Sequence, residues 1–305
     1  MPPGQHQVQH RHYHLLPFVA VAAGIASFSV MDALMKGASL AVGAYSAMLF
    51  RSLISAVVML PVWLLGREAW PRGALLRLHA TRGLNSAVMA TSFFWGLKYL
   101  PLAEGMAISF IAPLIALFLA AVLLGEKIAP RAIGASLLGL AGVAVIAGAR
   151  LGGEGYSREA ALGIAAILTS AVLYAWNLIL QRQQAQLAPP KEVAAFQAVF
   201  TSLFLAVLAP WLAQLPGLPV WGILTAAALL ATVSLMLISW GYGRAETQVL
   251  LPLEYSAFIW AAIMGWLMFD EALTLPTIIG AGLIVIGCWI AARPGPKVHI
   301  EQVAL

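Results

Sequence analysis

The chain has 305 residues, of which 62% are hydrophobic and only 10% carry a charge, and its mean hydropathy is +0.90. A soluble domain carries about 25% charged residues, so this composition excludes a protein whose surface is covered by water. The net charge of +5 does not indicate nucleic-acid binding, because the positive residues lie singly between apolar segments. The single cysteine, Cys288, excludes an intrachain disulfide.

Short breaks containing Gly, Pro or charged residues divide the chain into apolar segments. A membrane-spanning helix needs about 20 mostly apolar residues, and no break is long enough to hold a soluble domain. The first segment has an alternative interpretation as a signal peptide, because AVGA at 41–44 resembles a cleavage site. Its length and the charges of Asp32 and Lys36 argue against that alternative. The sequence predicts ten spans, at 15–36, 44–65, 77–98, 101–124, 131–149, 159–181, 192–213, 220–243, 247–269 and 274–292.

The positive residues are distributed unequally between the two ends of these spans. With the N-terminus in the cytoplasm, twelve lie at cytoplasmic ends and four at the other side, and Arg51 lies within a span. This bias predicts that both termini are cytoplasmic. The twelve are Arg11, Arg67, Arg72, Arg77, Arg82, Lys127, Arg131, Arg182, Lys191, Arg244, Arg293 and Lys297. The four are Lys36, Lys98, Arg150 and Arg158.

The chain also matches itself at an offset of 145 residues, where distinctive residues coincide. Each copy holds five spans, an odd number, so the second copy must cross the membrane in the opposite direction. We therefore predict an all-α polytopic membrane protein whose ten transmembrane helices form two inverted five-helix repeats. Transporters of this architecture bind substrate near the midplane, between the repeats. The matches are Trp95-Gly96 with Trp240-Gly241, Pro71 with Pro216, Glu126 with Glu271, and Gly142 with Gly287.

The predicted organisation has five parts. They are a cytoplasmic N-terminal tail (1–14), a first repeat (15–149), a periplasmic linker (150–158), a second repeat (159–292) and a cytoplasmic C-terminal tail (293–305). We expect the fifth and tenth spans, which are rich in glycine, to be scaffold or a dimer face. Their glycines are Gly134, Gly139, Gly142, Gly280, Gly282 and Gly287.

Several motifs resemble one family of transporters. They are GE or DE after the fourth span of each copy, Ile-Gly and a later Gly in the fifth, FSVMDALMK (28–36), Arg51, and LEYSAFIWAAIMGWLMFDE (253–271). Together they resemble the drug/metabolite transporter superfamily, EamA type. The resemblance covers roughly 15–292 and implies an inner-membrane exporter of small metabolites that works by alternating access. Within the superfamily the chain is most similar to exporters of amino acids, aromatic ones in particular. Other metabolites or drugs remain alternative substrates.

Intramembrane charges are costly and face a cavity or a partner. Asp32 and Lys36 share one face of the first span, Arg51 lies early in the second, and all three belong to the outer half of the membrane. They predict an ionic outer gate or a dock for a substrate carboxylate, and a structural ion pair is the alternative. Lys36 alone could instead extend to the interface. Glu254, deep in the ninth span, is a candidate to titrate, to bind an amino group or to stabilise structure.

The aromatic residues near the midplane suit a substrate with an apolar or aromatic part, although each could serve packing alone. They are Phe110, Tyr174, Trp176, Tyr255, Phe258 and Trp260. Asn85 and Asn177 could bind the substrate's polar groups or join helices. We expect Trp95 and Trp240 to be interfacial anchors, Glu104 to be solvated, and Glu126 and Glu271 to cap helices or pair locally. His79 lies near a cytoplasmic end, so a proton relay is expected to use carboxylates.

The second copy lacks the charges of the first. At the offset of 145, Asp32 aligns with Asn177, Lys36 with Gln181 and Arg51 with Phe196. The fold therefore does not need these charges, and we predict two unequal gates, an ionic outer one and an inner one built on Asn177 and Glu254.

Enzymes are disfavoured, because no HExxH, no GxSxG and no Ser with a His at membrane depth is present. We predict no catalytic residue, no metal and no cofactor. The expected partners are a small-molecule substrate and the lipid bilayer, not nucleic acid, and the chain is expected to be a monomer or a weak homodimer. A passive channel remains an alternative to a transporter.

Overall fold

The computed structural model describes residues 6–66, 69–124, 130–151, 157–242, 244 and 253–292. Within these segments it contains helices and no strand. The helices are α1 (His6–Val42), α2 (Ala44–Leu65), α3 (Gly73–Gly96), α4 (Leu102–Ser109), α5 (Ala112–Leu124), α6 (Pro130–Leu151), α7 (Arg158–Ala185), α8 (Pro190–Leu212), α9 (Leu218–Tyr242), α10 (Ser256–Phe269) and α11 (Leu275–Ala292).

The first helix is longer than the sequence predicts. It begins at His6 and continues to Val42, six residues beyond Lys36, so the charged pair lies inside the helix and not at its end. The helix stops at Gly43, whose φ of +79° lies in a region that glycine enters at little cost. The chain then reverses into α2 within a single residue.

The helices pack as an inverted repeat. α1 runs along α9, and α7 runs along α3, which is the same contact made by the equivalent spans of the other copy. α2 packs on α8 and α6 packs on α11, and each of these pairs joins equivalent spans. The most extensive contacts therefore link helices of opposite repeats, so the repeats interlock and do not form two separate halves.

The fourth span is broken between α4 and α5, at Phe110 and Ile111. Pro113 lacks the N–H that would continue the helical ladder across this point. The ninth span has a turn at Tyr255, the repeat counterpart of Phe110, immediately before α10. The two rings meet edge to face with their centroids 5.6 Å apart, so both breaks face each other inside the bundle. Because Phe258 is the counterpart of Pro113, proline alone does not cause the break.

Glycines let the helices approach closely at the repeated Trp-Gly motifs. A Cβ on Gly96 would lie 2.8 Å from the Gly163 carbonyl oxygen of α7. A Cβ on Gly241 would lie 2.9 Å from the Pro17 oxygen of α1. Both copies therefore have glycine after the tryptophan because two helices pack closely at that position. Trp240 is 39% exposed beneath the Arg244 guanidinium, which lies 4.4 Å from its ring.

The fifth and tenth spans cross at glycines. A Cβ on Gly142 would lie 2.5 Å from the Gly280 oxygen, and a Cβ on Gly280 would lie 2.6 Å from the Gly142 oxygen. This contact agrees with the packing role predicted for the two glycine-rich spans. Gly134 and Gly282 face open space, so these two glycines do not take part in the crossing.

We predict that Gly280→Leu destabilises the protein by at least about 1–3 kcal/mol, because overpacking forces the helices apart. Leucine at position 280 would collide with Ile146, whose Cγ1 lies 2.4 Å from the Cβ position. Gly282→Leu is the matched control on the same helix, since a Cβ there meets nothing within 4 Å. Thermal unfolding in detergent checks the pair. Equal losses in both variants would contradict the crossing.

Candidate functional site

Charged side chains from separate helices meet deep inside the bundle. Asp32 of α1, Arg51 of α2, Arg82 of α3, Tyr174 of α7 and Glu254 just before α10 form what we call the central cluster. The charges of Asp32 and Arg51 act on each other, and Tyr174 is within electrostatic reach of Asp32, Arg82 and Glu254. Asp32 lies ten residues before the end of α1, about 15 Å along the helix axis. The cluster is therefore near the middle of the membrane.

Most members of the central cluster keep some accessible surface. Tyr174 is 40% exposed and Asp32 and Arg51 are half-buried, although all three lie deep within the protein. Among the described side chains, no nitrogen–oxygen contact within 4.0 Å joins Asp32 to Arg51, and the Arg51 Nε makes no hydrogen bond. The two charges are thus not in direct contact. Two acids and two bases give the cluster no net formal charge.

Arg82 is held by a chain of buried polar side chains that we call the His79 network. Its Nη1 donates to the Gln184 Oε1 at 2.5 Å, and its Nε donates to the Asn177 Oδ1 at 3.2 Å. His79 Nδ1 lies 2.8 Å from the Gln184 Nε2, and His79 Nε2 lies 3.1 Å from the Glu192 Oε1. All five side chains are at most 5% exposed. The network fixes α3 against α7 and α8.

This placement differs from two expectations. The sequence places His79 and Arg82 near a cytoplasmic end and treats Arg82 as a topology signal. Both are instead enclosed by three helices and hydrogen-bonded. A histidine is therefore buried inside the bundle, so a relay restricted to carboxylates is not required.

Lys36 joins three segments near one end of the bundle. Its ammonium group forms an ion pair with Glu271, donates to the Leu100 carbonyl oxygen at 2.8 Å, and lies 5.0 Å from the centre of the Phe269 ring. Glu271 Oε2 accepts from the Leu102 N–H at 2.7 Å. We call this set the Lys36–Glu271 gate. It joins α1 to the α3–α4 turn and the α10–α11 turn.

The gate corrects two predictions. Lys36 is 4% exposed and does not extend to the interface, because its partners surround it inside the protein. Glu271 does not pair locally, since its partner lies 235 residues away in the sequence. Asp270 ends α10 in a left-handed conformation, with φ of 55°, as the chain turns into Glu271. Gly265 leaves the space that the carboxylate occupies, since a Cβ there would lie 2.8 Å from the Glu271 Oε2.

A second contact supports the same end. Glu104, which the sequence suggests is solvated, is 3% exposed and its Oε1 accepts from the Thr277 hydroxyl at 3.2 Å. The opposite end of the bundle differs. There Gln181, the repeat counterpart of Lys36, is exposed. The two equivalent positions therefore differ in burial.

The other predicted residues fall into two groups. Phe110, Tyr255 and Phe258 pack at the centre of the bundle, where the broken spans meet. Trp176 is two residues from Tyr174 and so points about 200° away around α7, which separates it from the central cluster. Trp260 is 37% exposed and, unlike Phe258, lies outside the buried core. The structure does not bring these two tryptophans to the cluster.

The predicted asparagines also differ from each other. Asn177 accepts from Arg82 and belongs to the His79 network. Asn85 donates to the Leu173 oxygen at 3.0 Å and is 3% exposed, so it joins α3 to α7.

The family model named "EamA-like transporter family" matches residues 16–148 and 161–293, once for each repeat. This chain belongs to the EamA-like transporter family. The resemblance drawn from its motifs is thereby confirmed, as is the fold of two inverted five-helix repeats. As a family member, the chain is a membrane transporter of a small molecule and not an enzyme.

Several curated bacterial proteins are similar to this EamA-like transporter. The pseudopaline exporter CntI of Pseudomonas aeruginosa is 28% identical over 272 residues, which are 88% of this chain and 92% of that protein. The aromatic amino acid exporter YddG of Ancylobacter novellus is 28% identical over 230 residues, 74% of this chain and 77% of that protein. A riboflavin transporter of Vibrio cholerae is 24% identical over 275 residues, 87% of this chain and 89% of that protein.

One solved crystal structure has the same fold, with a TM-score of 0.60 at 23% identity. The match covers 90% of this chain and 96% of that one. At this identity the likeness concerns the fold alone.

We predict that Lys36→Met opens the gated end of this EamA-like transporter. Removing one partner of a buried ion pair costs about 3–5 kcal/mol, and less where the remaining partner reaches water. Glu271 is 19% exposed, so part of this loss is recovered and the fold survives. The measurement is the rate at which a membrane-impermeant maleimide labels a cysteine at Ala103, which is 6% exposed, in a Cys288→Ser background.

The labelling rate should rise at least about tenfold, since the closed state loses more than about 1.4 kcal/mol. Lys98→Met is the matched control, because Lys98 lies at the same end and makes none of the gate contacts. If Lys36→Met labels no faster than Lys98→Met, the gate does not hold this end closed.

Proposed function

We propose that this chain exports small zwitterionic metabolites across the bacterial inner membrane by alternating access, with amphipathic and aromatic amino acids favoured. The observation that supports this substrate class is the central cluster. Its two acids and two bases lie at a depth where each charge is costly. A zwitterion presents one positive and one negative group and so complements such a cluster.

The side chains suggest a role for each part of the substrate. The Arg51 guanidinium, whose Nε makes no hydrogen bond in the described structure, docks the carboxylate. Glu254, which is exposed, receives the amino group. Asp32 balances the Arg51 charge when no substrate is bound. Tyr174 and the Phe110–Tyr255 pair contact the substrate's apolar or aromatic part.

The gate suggests which conformation is present. The Lys36–Glu271 gate joins three segments at its end, while Tyr174 and Glu254 of the central cluster are exposed and Gln181 is exposed at the other end. These features support a conformation that is open toward the end that carries the N-terminus. The bias of positive residues predicts that this end, and both termini, are cytoplasmic. Substrate then enters from the cytoplasm, and export requires the gate to break.

The interlocked packing favours a particular motion. Because α1 is bound to α9 and α7 to α3, each moving body contains helices from both repeats. Two of the relatives are named as exporters, one of pseudopaline and one of aromatic amino acids, and these names support export as the direction of transport. Their different cargoes support a class of small polar metabolites and not one compound.

Counterflow in proteoliposomes tests the proposal. Vesicles preloaded with unlabelled tryptophan should accumulate labelled tryptophan transiently, and uptake should saturate. Flux that rises linearly without counterflow would identify a passive facilitator. Failure of every aromatic amino acid to compete would refute the substrate class and leave the fold intact.

We predict that Arg51→Ala reduces transport of tryptophan at least about tenfold, because a hydrogen bond to a charged group contributes about 1.5–3 kcal/mol. Transport of tryptamine, which lacks the carboxylate, should fall much less. Arg51→Lys keeps the charge and should retain part of the tryptophan activity. An equal loss for both compounds in Arg51→Ala would indicate that Arg51 is structural.

Glu254→Gln should show the complementary pattern. Because its carboxylate faces the amino group, the variant should lose transport of tryptophan about tenfold, while N-acetyltryptophan, which has no positive charge, is affected little. Initial rates for both compounds at one pH provide the comparison. A uniform loss would exclude recognition of the amino group by Glu254.

A further inference from the structure

We propose that His79 is a proton-operated positioning residue. Its protonation state, acting through the amide of Gln184, determines whether Arg82 is held against α7 or is released to bind the substrate carboxylate in the central cluster. This inference rests on the proposed function, because it assigns a pH-dependent control to the same substrate site. It is carried by the geometry and hydrogen-bond chemistry of the His79 network.

The orientation of the Gln184 amide follows from chemistry. A guanidinium group has only donors, so the oxygen of Gln184 must face Arg82, and it does so at 2.5 Å. The amide NH₂ therefore faces His79 Nδ1 at 2.8 Å, and Nδ1 must accept its hydrogen bond. His79 is then neutral, with its proton on Nε2, which donates to the Glu192 carboxylate at 3.1 Å.

A proton added to Nδ1 reverses this arrangement. His79 then carries two N–H donors, and its Nδ1–H would point at the Gln184 NH₂, donor against donor. The amide must rotate to present its oxygen to His79. Its NH₂ then faces Arg82, which loses that hydrogen bond and keeps only the one to Asn177, at 3.2 Å. Arg82 becomes free to turn toward Tyr174, whose charge interaction with Arg82 shows that it is already near.

The surroundings make this coupling obligatory. His79 and Gln184 are both 0% exposed, so water does not replace a lost hydrogen bond. The groups that face His79 are Glu192 and Phe196 of α8, Gln184 of α7, and Arg82 on its own helix. The Phe196 ring stacks on the imidazole at 5.0 Å, and its other neighbours include Trp63 of α2. Glu192 favours the added proton, and Arg82 opposes it until it moves away.

The second repeat shows that the fold does not require this network. The counterparts of His79 and Arg82 at the offset of 145 are Leu224 and Ala227, and both are 0% exposed. The same position in the bundle is therefore filled well by apolar side chains. Retaining a buried histidine, an arginine and a glutamate there is costly, and this cost points to a function.

Kinetics over the range in which histidine changes its charge test the proposal. In proteoliposomes with the cytoplasmic side facing the assay medium, the KM for tryptophan should fall about tenfold between pH 8 and pH 5.5, as Arg82 gains a carboxylate partner. The KM for tryptamine should not show this fall, since it has no carboxylate. The effect should appear in KM more than in kcat.

Two variants should act in opposite directions. His79→Gln keeps a donor for Glu192 and does not take up the proton, so KM should stay at its high, alkaline value. Gln184→Met has similar length and removes the bond that holds Arg82, so KM should stay at its low, acid value. General damage to the fold does not produce opposite, pH-independent values. A wild-type pH dependence in His79→Gln, or shifts in the same direction, would overturn the proposal.

A second measurement does not need transport. In full-length protein labelled with ¹⁵N-histidine and reconstituted in lipid, the His79 signal is identified by its loss in His79→Gln. At pH 8 it should report a neutral ring with the proton on Nε2, and Gln184→Met should weaken this preference. A proton on Nδ1 would refute the hydrogen-bond directions proposed for the His79 network. Absence of tryptophan transport with the expected tautomer would instead refute the proposed function.

Discussion

The hydrocarbon interior of a bilayer offers no water to a charged or hydrogen-bonding side chain, and this constraint organises the bundle. Each buried charge in the described structure has a defined environment. Lys36 meets Glu271, a carbonyl oxygen and an aromatic ring, while Arg82 meets two amide oxygens. Asp32 and Arg51 instead interact through their charges without direct contact. The contacts that satisfy Lys36 and Arg82 run between repeats, so electrostatics and the interlocked packing stabilise the same helix arrangement.

The fold could be predicted because short segments of the sequence determine its spans and their repetition. A span is recognised from about 20 apolar residues, and inversion follows from the odd number of spans in each copy. Gly142 and Gly280 were expected to pack because little else explains glycine in a membrane helix. The length of α1 was not predicted, since Asp32 and Lys36 interrupt the apolar pattern where the helix continues.

The site was predicted less completely, because its contacts join distant parts of the chain. Nothing in the sequence around Lys36 indicates a partner 235 residues away. The rule for positive residues ignores depth and therefore treats Arg82 as a topology signal, although Arg82 lies more than two turns inside α3. Its distance from the start of the helix is the feature of the sequence that indicates burial. Helical phase could likewise have separated Trp176 from Tyr174, since residues two apart face nearly opposite directions.

The crossing of α6 and α11 also bears on how such a molecule can arise. The fifth span, α6, packs on α11, which is its equivalent in the second copy, so the interface relates equivalent surfaces of the two copies. An interface of this kind is isologous, the type by which two identical subunits form a closed dimer. A five-span ancestor inserted in both orientations would already possess it. The fused chain then needs only one charged copy, and its second copy is free to replace Asp32, Arg51 and His79 with neutral residues.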